Sequence, residues 1–122
     1  MSFLPAVHRE IANRQPNDPI RQTLEYLIQH GIGHLNPVPL PIIVQHLNDN
    51  GILISETDFQ QTVLATSRDA DYFIGSSNRG YFLIDTIDDA RVMQRFYTTR
   101  ISAEQQNLDN LRRQARNVGW NI

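Results

Sequence analysis

The chain contains no cysteine and no lysine. The lack of cysteine excludes disulfides, thiolate catalysis and cysteine-ligated zinc or iron–sulfur sites, so stability must come from packing alone. All eleven basic side chains are arginines. Arginine suits bidentate contacts to phosphate or guanine and equally suits salt bridges. Genome composition alone can also remove lysine, and we favour that explanation.

Long apolar runs and a secretory signal are also missing. No run approaches the roughly 18 residues of a membrane span, and the start, MSFLPAVHRE, lacks the basic-then-apolar order of a signal peptide. A cytoplasmic protein without membrane contact is therefore expected. At 122 residues, with 40% hydrophobic and 20% charged residues, the chain fits one soluble domain with an appendage.

The patterns of enzyme and metal sites are weak. Glycines at 31 and 33 separate His30 from His34 and break the helix that would align them as ligands. The segment GIGHLN lacks the strand, lysine and spacing of a phosphate-binding loop. Asp88 and Asp89 lie at a predicted helix start, where capping explains them. We therefore expect no enzyme activity, no metal and no cofactor.

Helical periodicity predicts three short helices after a polar arm at residues 1–17. The first begins after the N-cap Asp18 and ends at Gly31, and the second begins near Pro39. The third begins after Ser55, with Asp58 placed to complete a capping box. Their core faces consist of branched and aromatic residues at helical spacing: Ile20, Leu24, Leu27, Ile28, Leu40, Ile43, Val44, Leu47, Phe59, Val63 and Leu64.

The period then changes to that of extended chain. The runs DYFIGSS and GYFLID, joined through Asn78, Arg79 and Gly80, predict a β-hairpin in which Gly80 suits a positive φ. Thr86 is expected to cap a terminal helix of about 30 residues, long for a globular protein. The chain thus divides into an arm at 1–17, a domain at 18–85 and a long helix at 86–122.

The long helix carries an apolar seam with alternating spacings of four and three residues. It predicts a homodimer, although Glu104 interrupts the seam. As an alternative, Met93, Phe96 and Ile101 pack on the chain's own domain while the rest of the helix is solvated. The residues expected to form the dimer contact are Tyr97, Ile101, Leu108 and Leu111.

The run VLATSRDADYFIGSSNRGYFLIDTIDDARVM resembles the third helix, two-stranded wing and C-terminal helix entry of small phage and bacterial winged-helix proteins. In those proteins a segment of the type I…S…GY.L precedes an acidic helix start. Ile74, Ser76, Gly80, Tyr81 and Leu83 take those places here. The resemblance covers residues 19 to about 100. It implies an α+β, mostly α fold: a winged helix of three helices and a two-stranded wing, with a long C-terminal helix.

The resemblance also implies that the third helix enters the major groove of duplex DNA while the wing contacts an adjacent groove or the backbone. Glutamine can pair with adenine, and arginine with guanine or phosphate. Thr57, Gln60, Gln61 and Arg68 are the residues expected to contact DNA from the helix. Asn78 and Arg79 are expected to do so from the wing. A DNA-binding regulator or mobile-element factor is the predicted function.

Charge leaves two alternatives open. The net charge is −2, and Glu56, Asp58 and Asp69 near the ends of the third helix repel phosphate. A winged helix that binds a protein partner without contacting DNA is the main competing interpretation. A DNA-binding subunit of a larger nucleic-acid enzyme is another.

Overall fold

A computed structural model describes residues 2–67 and 70–121. It is mostly helical with one two-stranded antiparallel sheet and a long C-terminal helix, which confirms the predicted α+β, mostly α class. In chain order the elements are α1 (Leu4–Ala12), α2 (Pro19–His30), α3 (Leu40–Asp49), α4 (Glu56–Phe59), the π-helical turn π1 (Gln60–Leu64), α5 (Ala65–Ser67), β1 (Ile74–Ser77), β2 (Gly80–Leu83) and α6 (Ile87–Asn117).

Side-chain caps begin the helices where the sequence predicted them. The Asp18 carboxylate accepts a hydrogen bond from the Ile20 amide at 2.8 Å, and Pro19 occupies the first turn. At α4, the Asp58 amide donates to the Ser55 hydroxyl while the Asp58 carboxylate accepts from the Ser55 amide. This reciprocal pair is the predicted capping box, and it orients the start of the third helical segment.

The N-terminal residues, expected to form a polar arm, contain helix α1. Its residue Val7 is only 1% exposed and belongs to the main core, and Leu4 and Ile11 pack against that core. These three residues are spaced by three and four positions, which places them on one side of a helix. The helix α1 packs against α2.

The third helix is divided into α4, π1 and α5, which together form the segment 56–67. Phe59 and Val63 are buried on either side of the change from α to π geometry. A π turn adds one residue to its hydrogen-bonded ring and so shifts the direction of the side chains that follow it. Nothing in the sequence pattern indicated this turn.

The sheet includes more backbone than the predicted hairpin. The strands β1 and β2 pair from Ile74 with Leu83 to Ser77 with Gly80, so that Asn78 and Arg79 form the turn. The connection between α2 and α3 pairs with the other edge of β2. There Val38 exchanges two hydrogen bonds with Tyr81, at 2.8 and 2.9 Å.

One apolar core unites α1, α2, α3, α4 and π1 with the sheet. Leu24, Leu27, Ile43, Leu47 and Leu83 are each fully buried within it. The helix α3 packs between α2 and α4, and α2 also contacts β2. The hydrophobic effect therefore holds the polar face of the segment 56–67 and the hairpin in fixed positions on one body.

The chain forms two compact units, residues 1–90 and 91–122. The first contains every element from α1 to β2 and the first turn of α6. In the second, α6 continues to Asn117, so that the whole helix has 31 residues, and Gly119 follows with a φ of +83°. Among the described residues, no helix combines the length and apolar character needed to span a membrane.

Candidate nucleic-acid interface

The outward face of the segment 56–67 is polar and exposed. Thr57, Gln60 and Gln61 are all exposed, while Phe59 and Val63 on the opposite side are buried. The Gln61 side chain makes no hydrogen bond to any residue in the described ranges, so its amide donor and acceptor face solvent. Such an amide can offer the donor and acceptor pair that recognises adenine in the major groove.

Gln60 joins this face to the hairpin. Its side-chain amide donates a long hydrogen bond of 3.4 Å to the Tyr81 hydroxyl on β2. The ring of Tyr81 also packs against the ring of Phe59, with centroids 5.8 Å apart. The contact fixes the hairpin relative to the helical segment, and it uses part of the hydrogen-bonding capacity that the sequence assigned to DNA contact. Gln60 thus also has a positioning role.

The hairpin turn borders a groove that sequence reasoning missed. The groove has a volume of about 370 Å³ and lies between the hairpin and the start of α3. Asn78 and Arg79 line one side together with Ser77, and Pro39 to Pro41 line the other. Both turn residues are exposed, and the Arg79 guanidinium forms no ion pair with any residue of 2–67 or 70–121. Arg79 is therefore available to an anionic partner.

Tyr81 connects the polar face of the segment 56–67 to the groove beside the hairpin turn. It bonds Gln60 through its hydroxyl and lines the hairpin groove together with Asn78 and Arg79. The structure thus places Gln60, Asn78 and Arg79 around one tyrosine on the first unit. Thr57 and Gln61 lie on the same helical segment as Gln60. Arg68, the remaining residue of the predicted DNA-binding set, lies outside the described residues.

The electrostatics of the first unit are acidic. Residues 1–90 contain five arginines and eleven acidic side chains, a formal charge of −6, whereas residues 91–122 contain six arginines and two acids, a formal charge of +4. Arg14 is held by Glu10 and Asp18, and Arg21 is held by Glu25. A surface of this kind can neutralise only a few phosphates.

Asp89 organises the junction between the sheet and α6. Its buried carboxylate accepts hydrogen bonds from the amides of Asp85 and Thr86 and from both the amide and the ring of His34. Burial alone raises the pKa of this carboxyl, but the bonds from His34, Asp85 and Thr86 outweigh it and hold the pKa well below its usual range. The sequence predicted Asp89 as a helix-start acid but gave no sign of His34 as its partner.

The residues expected to form a dimer contact lie on the second unit and are exposed. Ile101 is 69% and Leu111 is 53% exposed, and Tyr97 and Leu108 are each about 40% exposed. Met93, Phe96 and Ile101, which the alternative interpretation packs against the chain's own domain, also lie on the second unit.

Among the described residues, no group of three histidine or acidic side chains is arranged to hold a metal ion. Comparisons of the chain with protein-family models, with curated proteins and with solved structures gave no match.

Proposed function

We propose that this protein is a winged-helix protein that binds duplex DNA. In this interpretation α2, α3 and the segment 56–67 are the three helices, the β1–β2 hairpin is the wing, and the α2–α3 connection is the short third strand that pairs with the wing. The segment 56–67 lies in the major groove, and the hairpin turn contacts the adjacent backbone. The order of elements and their packing around one core support the assignment.

The observation that carries the proposal is the contiguous surface around Tyr81. Tyr81 bonds the Gln60 amide of the helical segment and lines the same groove as the exposed Arg79 of the hairpin turn. A helix that reads base edges needs short polar side chains that are fixed in direction but free to bond. The Thr57 and Gln61 side chains are polar, exposed and free of hydrogen bonds to any residue of 2–67 or 70–121. The π turn within the segment adds support, since such turns often occur at functional sites.

The residues divide between base contacts and phosphate contacts. Gln61 contacts a base edge, Thr57 and Gln60 contribute at the same face, and Arg79 and Arg68 contact phosphate. Asn78 supports Arg79 at the turn. Because the first unit is acidic, phosphate attraction is weak and specific contacts supply most of the affinity.

The test is DNA binding by paired variants of the full chain. A duplex selected from a random pool is labelled, and its affinity is measured by fluorescence anisotropy at moderate salt. Gln61→Ala and Arg79→Ala are each expected to weaken binding about tenfold, because a good base or phosphate contact is worth about 1–3 kcal/mol.

Matched controls remove a glutamine and an arginine at other positions of the first unit. Gln29→Ala on α2 and Arg9→Ala on α1 remove exposed side chains outside the Tyr81 surface and should leave the affinity unchanged. If the double variant Gln61→Ala with Arg79→Ala binds DNA as tightly as the unaltered chain, the assignment of this surface is wrong.

A second function is favoured by one specific observation, the formal charge of −6 on residues 1–90. The same exposed face, with Glu56 and Asp58 at its start, would suit a basic protein partner in an adaptor that does not contact DNA. The absence of any bound duplex even at low salt, where phosphate attraction is strongest, would favour this function over DNA binding.

A further inference from the structure

We propose that a second copy of this chain docks antiparallel on the middle of α6, and that Glu104 of each copy pairs with Arg100 of the other. This contact lies within the second unit alone and does not depend on DNA binding. Glu104 interrupts the apolar seam. In this pair, Glu104 is the residue that selects the orientation of the two helices.

The docking surface is a groove of about 490 Å³ along one side of α6. Ile101 and Leu108 form its apolar floor, and they are 69% and 39% exposed. Arg100 and Glu104 lie one helical turn apart in the same groove and have opposite charges. The full lining consists of Tyr97, Arg100, Ile101, Glu104, Gln105 and Leu108.

The lining has the arrangement that helix pairing requires. In paired helices each core side chain inserts into a hole formed by four residues of the facing helix. Tyr97, Arg100, Ile101 and Glu104 form one such hole. Ile101, Glu104, Gln105 and Leu108 form the next hole, so the groove consists of two adjacent holes that share Ile101 and Glu104.

An antiparallel second copy fits both holes at once. Aligning Ile101 with Glu104 of the other copy also aligns Tyr97 with Leu108, and the two-fold axis repeats each contact. The Glu104 side chain then enters the first hole of its neighbour, which Arg100 lines. Each Glu104 carboxylate therefore lies beside the Arg100 of the other copy. The Glu104 of that copy lines the same hole but lies about one helical turn farther along the helix than its Arg100.

A parallel pair in register is unfavourable because it brings like charges together. It would place the two Glu104 carboxylates side by side in the seam, where removal from water makes like charges costly. The apolar spacing alone allows both arrangements. Charge favours the antiparallel one, in which each Glu104 gains the Arg100 of the other copy.

The rest of the helix limits how tightly the copies bind. Residues 91–122 have a formal charge of +4, so two such helices repel each other outside the groove. The contact is short, from Tyr97 to Leu108, and we expect dissociation in the micromolar range, as for a small and partly charged interface.

Sedimentation equilibrium of the full chain tests the charge pair. The unaltered chain should dimerise, whereas Arg100→Glu and Glu104→Arg should each weaken dimerisation by at least about tenfold, because each creates like charges across the contact. Combining Arg100→Glu with Glu104→Arg exchanges the charges and should restore the dimer. Arg95→Glu, which reverses an arginine of the same helix outside the groove, serves as the matched control. Circular dichroism confirms that each variant keeps its helix.

Cysteine cross-linking tests the orientation, since the chain has no cysteine of its own. Tyr97→Cys and Leu108→Cys chains are mixed and oxidised. The antiparallel pair predicts disulfides between the two different variants, whereas a parallel pair predicts disulfides within each variant. Disulfides only within each variant, a monomeric unaltered chain at micromolar concentration, or a charge exchange that fails to restore the dimer would each overturn the proposal.

Discussion

Asp89 shows how one buried charge can link distant parts of the chain. It caps α6 through the amides of Asp85 and Thr86, and it also holds the α2–α3 connection through His34, 55 positions away in sequence. Hydrogen bonds to a buried carboxylate are stronger than neutral ones, and leaving their donors unpaired is costly. The same connection carries Val38, which pairs with β2 beside the candidate interface.

Asp89→Asn is therefore expected to lower the free energy of unfolding at pH 7 by about 2–3 kcal/mol. The amide keeps one acceptor oxygen but removes the charge and places N–H donors against N–H donors. Urea unfolding measures the change. Asp49→Asn, which alters an exposed carboxylate on α3, should stay within about 0.5 kcal/mol of the unaltered chain.

The stability difference between the unaltered chain and Asp89→Asn should also depend on pH. The pKa of Asp89 is lower in the folded chain than its ordinary value of 3.8, so its contribution to stability is complete above pH 3.8. As the pH falls below that value, the unfolded state binds the proton first, and the contribution declines. The stability gap between the unaltered chain and Asp89→Asn should therefore shrink on acidification below pH 4. A gap that stays constant would contradict the role given to the charge.

At the scale of elements, the β1–β2 hairpin depends on backbone pairing at both edges of β2. β2 pairs with β1 at one edge and with the α2–α3 connection at the other. Gly80 lies where these partners converge, with a φ of +144°. A Cβ atom built there would lie 2.2 Å from the carbonyl oxygen of Val38. Only glycine satisfies both the dihedral angle and the close approach.

Gly80→Ala is accordingly expected to destabilise the chain by about 3 kcal/mol, from the clash added to the backbone strain. Gly51→Ala is the matched control, since Gly51 has a φ of +82° but no atom within 4 Å of the position that a Cβ atom would take. That change should lower the free energy of unfolding by only about 1–2 kcal/mol, because a residue with a Cβ atom is strained in the left-handed region. Thermal or urea unfolding compares them, and equal losses would mean that the contact with Val38 is relaxed at little cost.

At the scale of the whole molecule, charge is distributed unevenly between the two units. The unit with the candidate interface has a formal charge of −6, and the unit formed by residues 91–122 has a formal charge of +4. Within residues 55–85, only Arg68 and Arg79 are basic. If these two supply the phosphate contacts, DNA binding must depend weakly on salt.

The expected slope of log affinity against log salt concentration is about −2, since each neutralised phosphate contributes about −0.9. Arg79→Gln should reduce the magnitude of the slope by about 1. A salt titration of duplex binding measures both values. A slope steeper than about −4 would mean that arginines other than Arg68 and Arg79 also contact the phosphates.

Local features of this protein follow from the sequence itself. The capping pairs at Asp18 and Ser55, the hairpin turn at Asn78 and Arg79, and the length of α6 all depend on interactions within a few residues, which local patterns express. The predicted outward position of Gln60 and Gln61 also agrees with their exposure, because helical periodicity separates apolar from polar positions.

Only the tertiary structure decided the contacts between distant segments. The pairing of Val38 with Tyr81, the bond from Gln60 to Tyr81 and the link from His34 to Asp89 join residues between 21 and 55 positions apart. The packing of α1 depends on the shared core. No short-range pattern encodes which of several polar groups will meet after the apolar faces collapse together. That choice depends on the geometry of the whole core.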